Sequence, residues 1–338
     1  MVGTAGNDRL TGTSGTDVIV GLGGNDRIND GGGNDYVCGG RGRDQLISGG
    51  GAEHMSGGPG ADYLSGGSGP NVVKGGDGDD TLNPHRFGGR HEGGPGFDVA
   101  TFWQLECRVT ANLATRVATW RCSTYSGRAG LISIEGLSGT VFGDTLVGNA
   151  RYNELFGGRG GDVIRGGDGN DLLDGYLGND RLNGGAGEKD IAWFYNSLLR
   201  PVTVDLTAGT ATGHGSDQLT AIEGVVGSRG DDTIRGSDGI NGLFGTTGND
   251  FLDGRGGDDL LDGEEHQDRL VGGAGNDDLR GGTGADELAG GDGDDSLFGQ
   301  GGDDFLSGDG GADPMDGGDG EDTCVSDPDD PPPVACES

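Results

Sequence analysis

Acidic and apolar residues recur along this chain with a single period of nine. Residues 272–298 read GGAGNDDLR, GGTGADELA, GGDGDDSLF, three units with nothing between them. With the unit numbered one to nine, position six is acidic and position eight apolar, and this register extends in steps of nine over three arrays. The first carries Asp8, Asp17, Asp26, Asp35, Asp44, Glu53, Asp62, Asn71 and Asp80 at position six. Leu10, Ile19, Ile28, Val37, Leu46, Met55, Leu64, Val73 and Leu82 stand at position eight. The second carries Asp144, Asn153, Asp162, Asp171 and Asp180, with Leu146, Leu155, Ile164, Leu173 and Leu182. The third runs through Asp232, Asn241, Asp250, Asp259, Asp268, Asp277, Asp286, Asp295, Asp304, Asp313 and Asp322, with apolar partners from Ile234 to Met315 and then Cys324. Across these 25 units position eight is never polar and position six is always Asp, Glu or Asn, which chance does not maintain.

A nonapeptide period marks a solenoid. Positions one to six are rich in Gly and Asp and must turn, because Gly takes positive φ without steric cost. Positions seven to nine leave room for one short strand with a single side chain, position eight, pointing inward. Two units make one coil, and coils stack strand on strand into two parallel sheets around a thin double row of Leu, Ile and Val. One inward aliphatic side chain per nine ordered residues is a weak core, since ordering each backbone is costly. The acidic positions add to the difficulty: carboxylates recur every 18 residues on one edge and repel unless a cation lies between them. Oxygen ligands favour a hard divalent ion, and Ca²⁺ accepts six to eight of them in flexible geometry, backbone carbonyls included. Mg²⁺ demands tighter octahedral geometry, and zinc would want Cys or His in series, which the arrays lack.

Units such as GGAGNDDLR and GGDGDDSLF resemble the RTX, or haemolysin-type, calcium-binding repeat, over about two thirds of the chain. The resemblance implies an all-β fold, a right-handed parallel β-roll or β-helix solenoid, with each Ca²⁺ held between units n and n+2 by position-six carboxylates and turn carbonyls. Carried over, every Asp at position six named above becomes a metal ligand, and pairs such as Asp8 with Asp26, Asp17 with Asp35, Asp268 with Asp286 and Asp277 with Asp295 share one ion each. Glu53 is one methylene too long for the pattern, and Asn71, Asn153 and Asn241 lack the charge.

Composition narrows the reading. With 57 acidic and 22 basic residues the net charge is −35, which argues against nucleic acid and anionic membranes as partners. Filling every n, n+2 pair would take about 7, 3 and 9 ions in the three arrays, roughly +38. High net charge with only 30% hydrophobic residues is also the signature of a disordered chain. Both statements hold if the chain is a coil without calcium and folds on binding it.

The arrays are expected at residues 1–83, 139–183 and 227–325, with a degenerate coil and a first β-rich insert at 84–138, a second insert at 184–226 and an acidic Pro-rich cap at 326–338. The degenerate coil puts Gly89 where a carboxylate belongs and Asp98 18 residues after Asp80. His85, His91 and Glu92 fall in this stretch but lack zincin spacing, and read as an irregular surface loop. The inserts are an internal duplication: VTANLATRVAT at 109–119 aligns with VTVDLTAGTAT at 202–212, FDVATF at 97–102 with KDIAWF at 189–194, and Ile134-Glu135-Gly136 with Ile222-Glu223-Gly224. Their alternation sets Val109, Ala111 and Leu113 on one face, and Val202, Val204 and Leu206 on its counterpart, as enlarged coils that cap or widen the roll without calcium. Trp103, Trp120, Trp193, Phe194 and Tyr195 are read as satellite core rather than a carbohydrate platform.

A hairpin turning at Ala114-Thr115 sets Val109 opposite Trp120 and Cys107 opposite Cys122, a register that allows a disulfide. Cys324 and Cys336 flank the acidic tail and can tie it over the last coil, and Cys38, at an outward ninth position, is left free. Both pairings favour an oxidising exterior. Met1-Val2 leads into the first turn with neither a charged n-region nor an apolar h-region, so the chain reads as a mature form, a fragment or the product of a leaderless export route. No apolar run reaches membrane-spanning length.

Catalytic patterns are missing. There is no G-x-S-x-G or Walker A loop, G-x-G-x-x-G matches are expected among 81 glycines, and His54 and His266 have no partners set around them. The sequence therefore reads as a secreted, non-enzymatic calcium-binding solenoid. The alternatives are the export and folding tail of a larger toxin, protease, lipase or epimerase, and an adhesin or surface-layer element, against which the unrepeated position-seven row Arg9, Val18, Arg27, Tyr36, Gln45, His54 counts.

Overall fold

The computed structural model describes residues 1–195 and 200–336; residues 196–199 of the second insert and 337–338 of the cap lie outside it. Among the described residues there are strands and turns and no helix. The chain divides into two compact units, residues 1–168 and 169–338, each a stack of parallel β-coils.

In the first unit, Arg27–Asn29 pairs in parallel with Gln45–Ile47 and sets Ile28 beside Leu46. On the opposite side of the coil Val18–Gly23 pairs with Tyr36–Arg41 and sets Ile19 beside Val37. Each coil therefore gives one strand to each of two sheets, and the position-eight side chains meet between them. Ile19, Ile28, Leu46, Leu64, Val73 and Leu82 are fully buried. The second unit repeats the arrangement, with Leu252 beside Leu270 and Leu261 beside Leu279.

One expectation needs widening. The period left room for three-residue strands, yet many run to six, as in Arg269–Ala274 and Glu287–Asp292. Pairing continues into the next unit's first positions, where Gly273 stacks on Gly291. Gly273 has φ 114°, and a Cβ there would collide with the carbonyl of Arg255 one coil earlier. At φ 114° only glycine fits; Arg255, Glu264, Gln300 and Asp309 occupy the same position of other units at φ 69–73° and stack in the same ladders.

The degenerate coil sits where the register placed it: Gly88–Glu92 pairs with Asn71–Asp77, with Gly89 opposite Asn71. His91 takes an inward position beside Val73 and Leu131 and is buried, so this part of the stretch is core rather than the surface loop expected. Burial pushes the His91 imidazole down to about 4.

The first insert adds two strands to one sheet only. Val109–Asn112 and Val117–Arg121 form the expected hairpin, with Val109 opposite Trp120. The chain then returns antiparallel through Ser126–Ile132, which rejoins the stack against Gly88–Glu92, while Val109–Asn112 pairs in parallel with Thr145–Val147. The facing sheet runs from Val99–Thr101 through Gly136–Ser138 to Glu154–Phe156 with no strand added. Val109, Ala111 and Leu113 all point into the core. Phe102 and Trp120 pack there at 5.9 Å between ring centroids, the Trp120 Nε1–H donating to the Arg86 carbonyl at 2.9 Å. Trp103, by contrast, is exposed.

The Cys107–Cys122 disulfide closes this hairpin. A sequence separation of 15 corresponds to about 3 kcal/mol of lost loop entropy in the unfolded chain. The double variant Cys107→Ser/Cys122→Ser should accordingly melt several degrees lower in saturating calcium by calorimetry; an unchanged melting temperature would show that the hairpin is held by its packing alone.

In the second unit Thr203–Asp205, Thr210–Thr212 and Ser216–Thr220 repeat the meander. Val202 and Val204 are buried, while Leu206 is only half-buried. Arg255 donates from both terminal nitrogens to Asp205, at 3.0 and 2.8 Å, fastening this hairpin to the third array. At the C-terminus the Cys324–Cys336 disulfide folds the tail back, and Val334 exchanges backbone hydrogen bonds with the last coil through Met315 and Gly317. Cys38 is free.

Candidate functional site

The position-six residues line the corners where each turn enters a strand. One bond recurs from corner to corner: the backbone N–H of a position-six residue donates to the Oδ1 of the Asp one coil further on. In the first unit Asp8 donates to Asp26 at 2.8 Å, Asp26 to Asp44 at 2.7 Å, Asp44 to Asp62 at 2.7 Å and Asp62 to Asp80 at 2.8 Å. Asp17 donates to Asp35 and Asp144 to Asp162 in the same way. In the second unit one edge runs Asp232, Asp250, Asp268, Asp286, Asp304, Asp322 at 2.7–2.9 Å. The other runs Asn241, Asp259, Asp277, Asp295, Asp313 at 2.7–2.8 Å. The n, n+2 pairing expected of the period is therefore a physical adjacency.

This bond uses one oxygen of each carboxylate. The second oxygen of Asp26, Asp35, Asp44, Asp62, Asp80, Asp250, Asp259, Asp268, Asp277, Asp286, Asp295, Asp304 and Asp313 is buried without a hydrogen-bond partner. Buried acceptors in folded proteins are nearly always paired, so a row of orphans identifies positions built for another ligand. The surroundings supply more oxygen. A Cβ on Gly272 would touch both Asp277 Oδ2 and the Gly290 carbonyl oxygen one coil on, and Gly254 stands in the same relation to Asp259 and Gly272. Position-one glycine thus keeps a small cradle open between carboxylate and carbonyl.

The electrostatics point the same way. Burial outweighs the N–H bond each carboxylate accepts, and pushes Asp250 up to about 8, Asp80, Asp259 and Asp268 to about 7, and Asp62, Asp286 and Asp295 to about 6. Neighbouring carboxylates add to these shifts.

A second class of corner satisfies itself. At four units Thr or Ser at position two caps the carboxylate; Thr246, at the same position, bonds the Ser228 carbonyl instead and leaves Asp250 Oδ2 uncapped. Thr13 gives its N–H and hydroxyl to Asp17 Oδ2 at 2.6 and 2.8 Å, which holds the Asp17 carboxyl below its usual range. Thr4 does the same for Asp8, Thr140 for Asp144 and Ser228 for Asp232. Asn149 and Ser237 likewise cap Asn153 and Asn241. These units begin each stretch of ladder, and their carboxylates keep no orphan oxygen of the kind described above.

Other rungs fall outside the strict period. Asp98 accepts from Asp80, and Glu135 from Asp98, at 2.9 and 3.1 Å. In the second unit Asp190 accepts from Asp171, Glu223 from Asp190 and Asp217 from Asp180. Asp330 in the tail accepts from Asp313 at 3.0 Å and so completes the last coil. The matched positions of Asp98 with Asp190 and of Glu135 with Glu223 in the duplicated segments were the available signal for four of these.

A corner of this kind offers oxygen only, in carboxylate and carbonyl form, at roughly one charge per rung. That donor set fits a hard cation of the calcium class and offers nothing to a soft metal. The family model for the RTX calcium-binding nonapeptide repeat matches residues 1–85, 138–188 and 225–324 in overlapping copies. No curated protein matches the chain. With the repeat matched over well over half of its length and its stacked coils in place, the chain belongs to the RTX calcium-binding nonapeptide repeat family.

Proposed function

We propose that this chain is a secreted, non-enzymatic solenoid whose folding is driven by several calcium ions bound along its corners. The observation that carries the reading is the row of buried carboxylates whose second oxygen has no partner and lies beside a glycine carbonyl of the next coil. The ladder positions would hold the ions: Asp26, Asp44, Asp62 and Asp80 in the first unit, and Asp250, Asp268, Asp286 and Asp304 with Asp259, Asp277, Asp295 and Asp313 in the second. Bound calcium supplies the positive charge that lets stacked carboxylates stay ionised out of water. The capped carboxylates Asp8, Asp17, Asp144 and Asp232 act as ends of the ladder, where hydroxyl and amide hydrogens replace part of that charge. Two disulfides support an oxidising, extracellular setting. The committed use of the acidic groups as ladder rungs supports a binding role rather than acid–base catalysis.

Calorimetric titration tests this directly. Calcium should bind at many sites per chain with dissociation constants of about 10⁻⁴ to 10⁻³ M, the range of extracellular modules, and magnesium at the same concentrations should not substitute. An absence of binding heat up to 10 mM calcium, about ten times the weakest expected constant, would overturn the reading.

A further inference from the structure

One corner of the first unit departs from the repeat at position one and at position six together. Position one is glycine in 23 of the 25 units; the exceptions are Asp30 and Ser48, one coil apart. Position six is Glu only at Glu53. Two of these departures, Asp30 and Glu53, meet at a single place with the regular rung Asp35: a carboxylate oxygen from each lies within 4.8 Å of the other two.

The hydrogen bonding differs as well. Asp30 Oδ1 accepts the Gly49 N–H at 2.8 Å and Asp35 Oδ1 the Asp17 N–H at 2.7 Å. Asp30 Oδ2, Asp35 Oδ2 and both Glu53 oxygens make no hydrogen bond of good geometry, and the Ser48 hydroxyl stands beside Asp30 and Glu53, near enough to favour their charged forms. All three acidic residues are 1% exposed or less. An ordinary ladder corner brings together two carboxylates; this one brings three, with four oxygens lacking such a bond, out of contact with water.

We propose that Asp30, Asp35 and Glu53 form a cation site of a second kind, an oxygen-only three-carboxylate site that takes one calcium-class ion more tightly than the ladder corners and fills before them. The inference rests on the calcium reading above: Asp35 and Glu53 are an n, n+2 pair of the ladder, and Asp30 adds a third carboxylate that no other corner's position one supplies. Glu53 reaches further than Asp, and the glycine-to-Asp exchange at position 30 fills the position-one cradle with a ligand. A set of carboxylate oxygens alone, in an irregular arrangement, suits calcium, which accepts flexible geometry, better than magnesium, which demands a near-ideal octahedron. Three carboxylates against two positive charges leave an excess negative charge, and ligand charge is one of the quantities that sets calcium affinity.

Calcium titration of the whole chain against two variants decides the matter. Asp30→Gly restores the residue that the other units carry, and Asp30→Asn keeps the acceptor for Gly49 while removing the charge. Wild type should show one tight site ahead of the main phase. Each variant should weaken that site by about 100-fold and leave the main phase in place, with circular dichroism in excess calcium confirming that both fold. Isotherms of both variants superimposable on wild type would overturn the proposal, and would show that the three carboxylates merely share protons. Failure of wild type to bind calcium at all would instead remove the reading on which the site depends.

Discussion

Chelating calcium at neutral pH should abolish most of the far-UV strand signal of this chain, and adding calcium back to millimolar concentration should restore it. The expectation follows from how little else holds the coils. Each nine-residue unit buries one aliphatic side chain between the sheets, as Leu270 and Leu279 do, and the remaining positions are largely glycine and acid. The glycines lose more conformational freedom on folding than any other residue. Without ions the ladder carboxylates repel along each edge, and a net charge of −35 favours expansion. Calcium should reverse the balance by binding only the stacked corners: at millimolar calcium, about one to ten times the expected dissociation constant, each site contributes about 0.4 to 1.4 kcal/mol to the folded state. Several such sites on one unit make the transition steep. The hydrodynamic radius should contract together with the gain of strand. Equal strand content in excess chelator and in calcium would mean that the coils stand without ions.

The second large effect is one of pH, and its direction depends on whether calcium is present. A carboxyl whose folded pKa lies above its unfolded value binds its proton more tightly when folded. It therefore contributes stability that is fully present below the unfolded value, near 4, and lost as pH rises through the folded value. Asp62, Asp286 and Asp295 rise to about 6, Asp80, Asp259, Asp268 and Glu53 to about 7, and Asp250 to about 8, burial being the first cause in each. The calcium-free coils should thus be least stable near pH 8 and recover as pH falls through 8 to 5. In chelator, acidification over that window should raise the strand signal. In calcium close to the midpoint of binding, the same acidification should displace ions, because a protonated carboxyl is no ligand. Circular dichroism in chelator and a calcium electrode in its absence read the two arms. A chelated chain whose spectrum does not change between pH 8 and 5 would contradict this account of the corners.

Much of the architecture was legible because period and chemistry coincide. Position eight gave the inward row, and the hairpin turning at Ala114-Thr115 placed Val109 opposite Trp120 and Cys107 opposite Cys122, as found. The longer strands escaped the reading because glycine, which signals a turn, here also permits close stacking of backbones, as at Gly273. The division of position-six carboxylates into orphaned and capped classes was missed because it turns on where a position-two hydroxyl points: those of Thr4, Thr13, Thr140 and Ser228 reach an oxygen four residues on, while that of Thr246 bonds the Ser228 carbonyl. Rungs such as Asp217 and Asp330 lie 37 and 17 residues from their donors. A fixed step of 18 cannot find them, since an inserted meander or a disulfide-tied tail changes the contour length between coils without changing the corner. His91 read as surface because its neighbours are polar; only the pairing of its strand against Val73 turns it inward.

A crystal structure of the chain grown in calcium, with anomalous data to locate the ions, tests the central claim most directly. The account predicts calcium between the Oδ2 of Asp277 and the Gly290 carbonyl, and at the equivalent places along each ladder edge of the second unit. Water alone at those corners, with the coils intact, would contradict it.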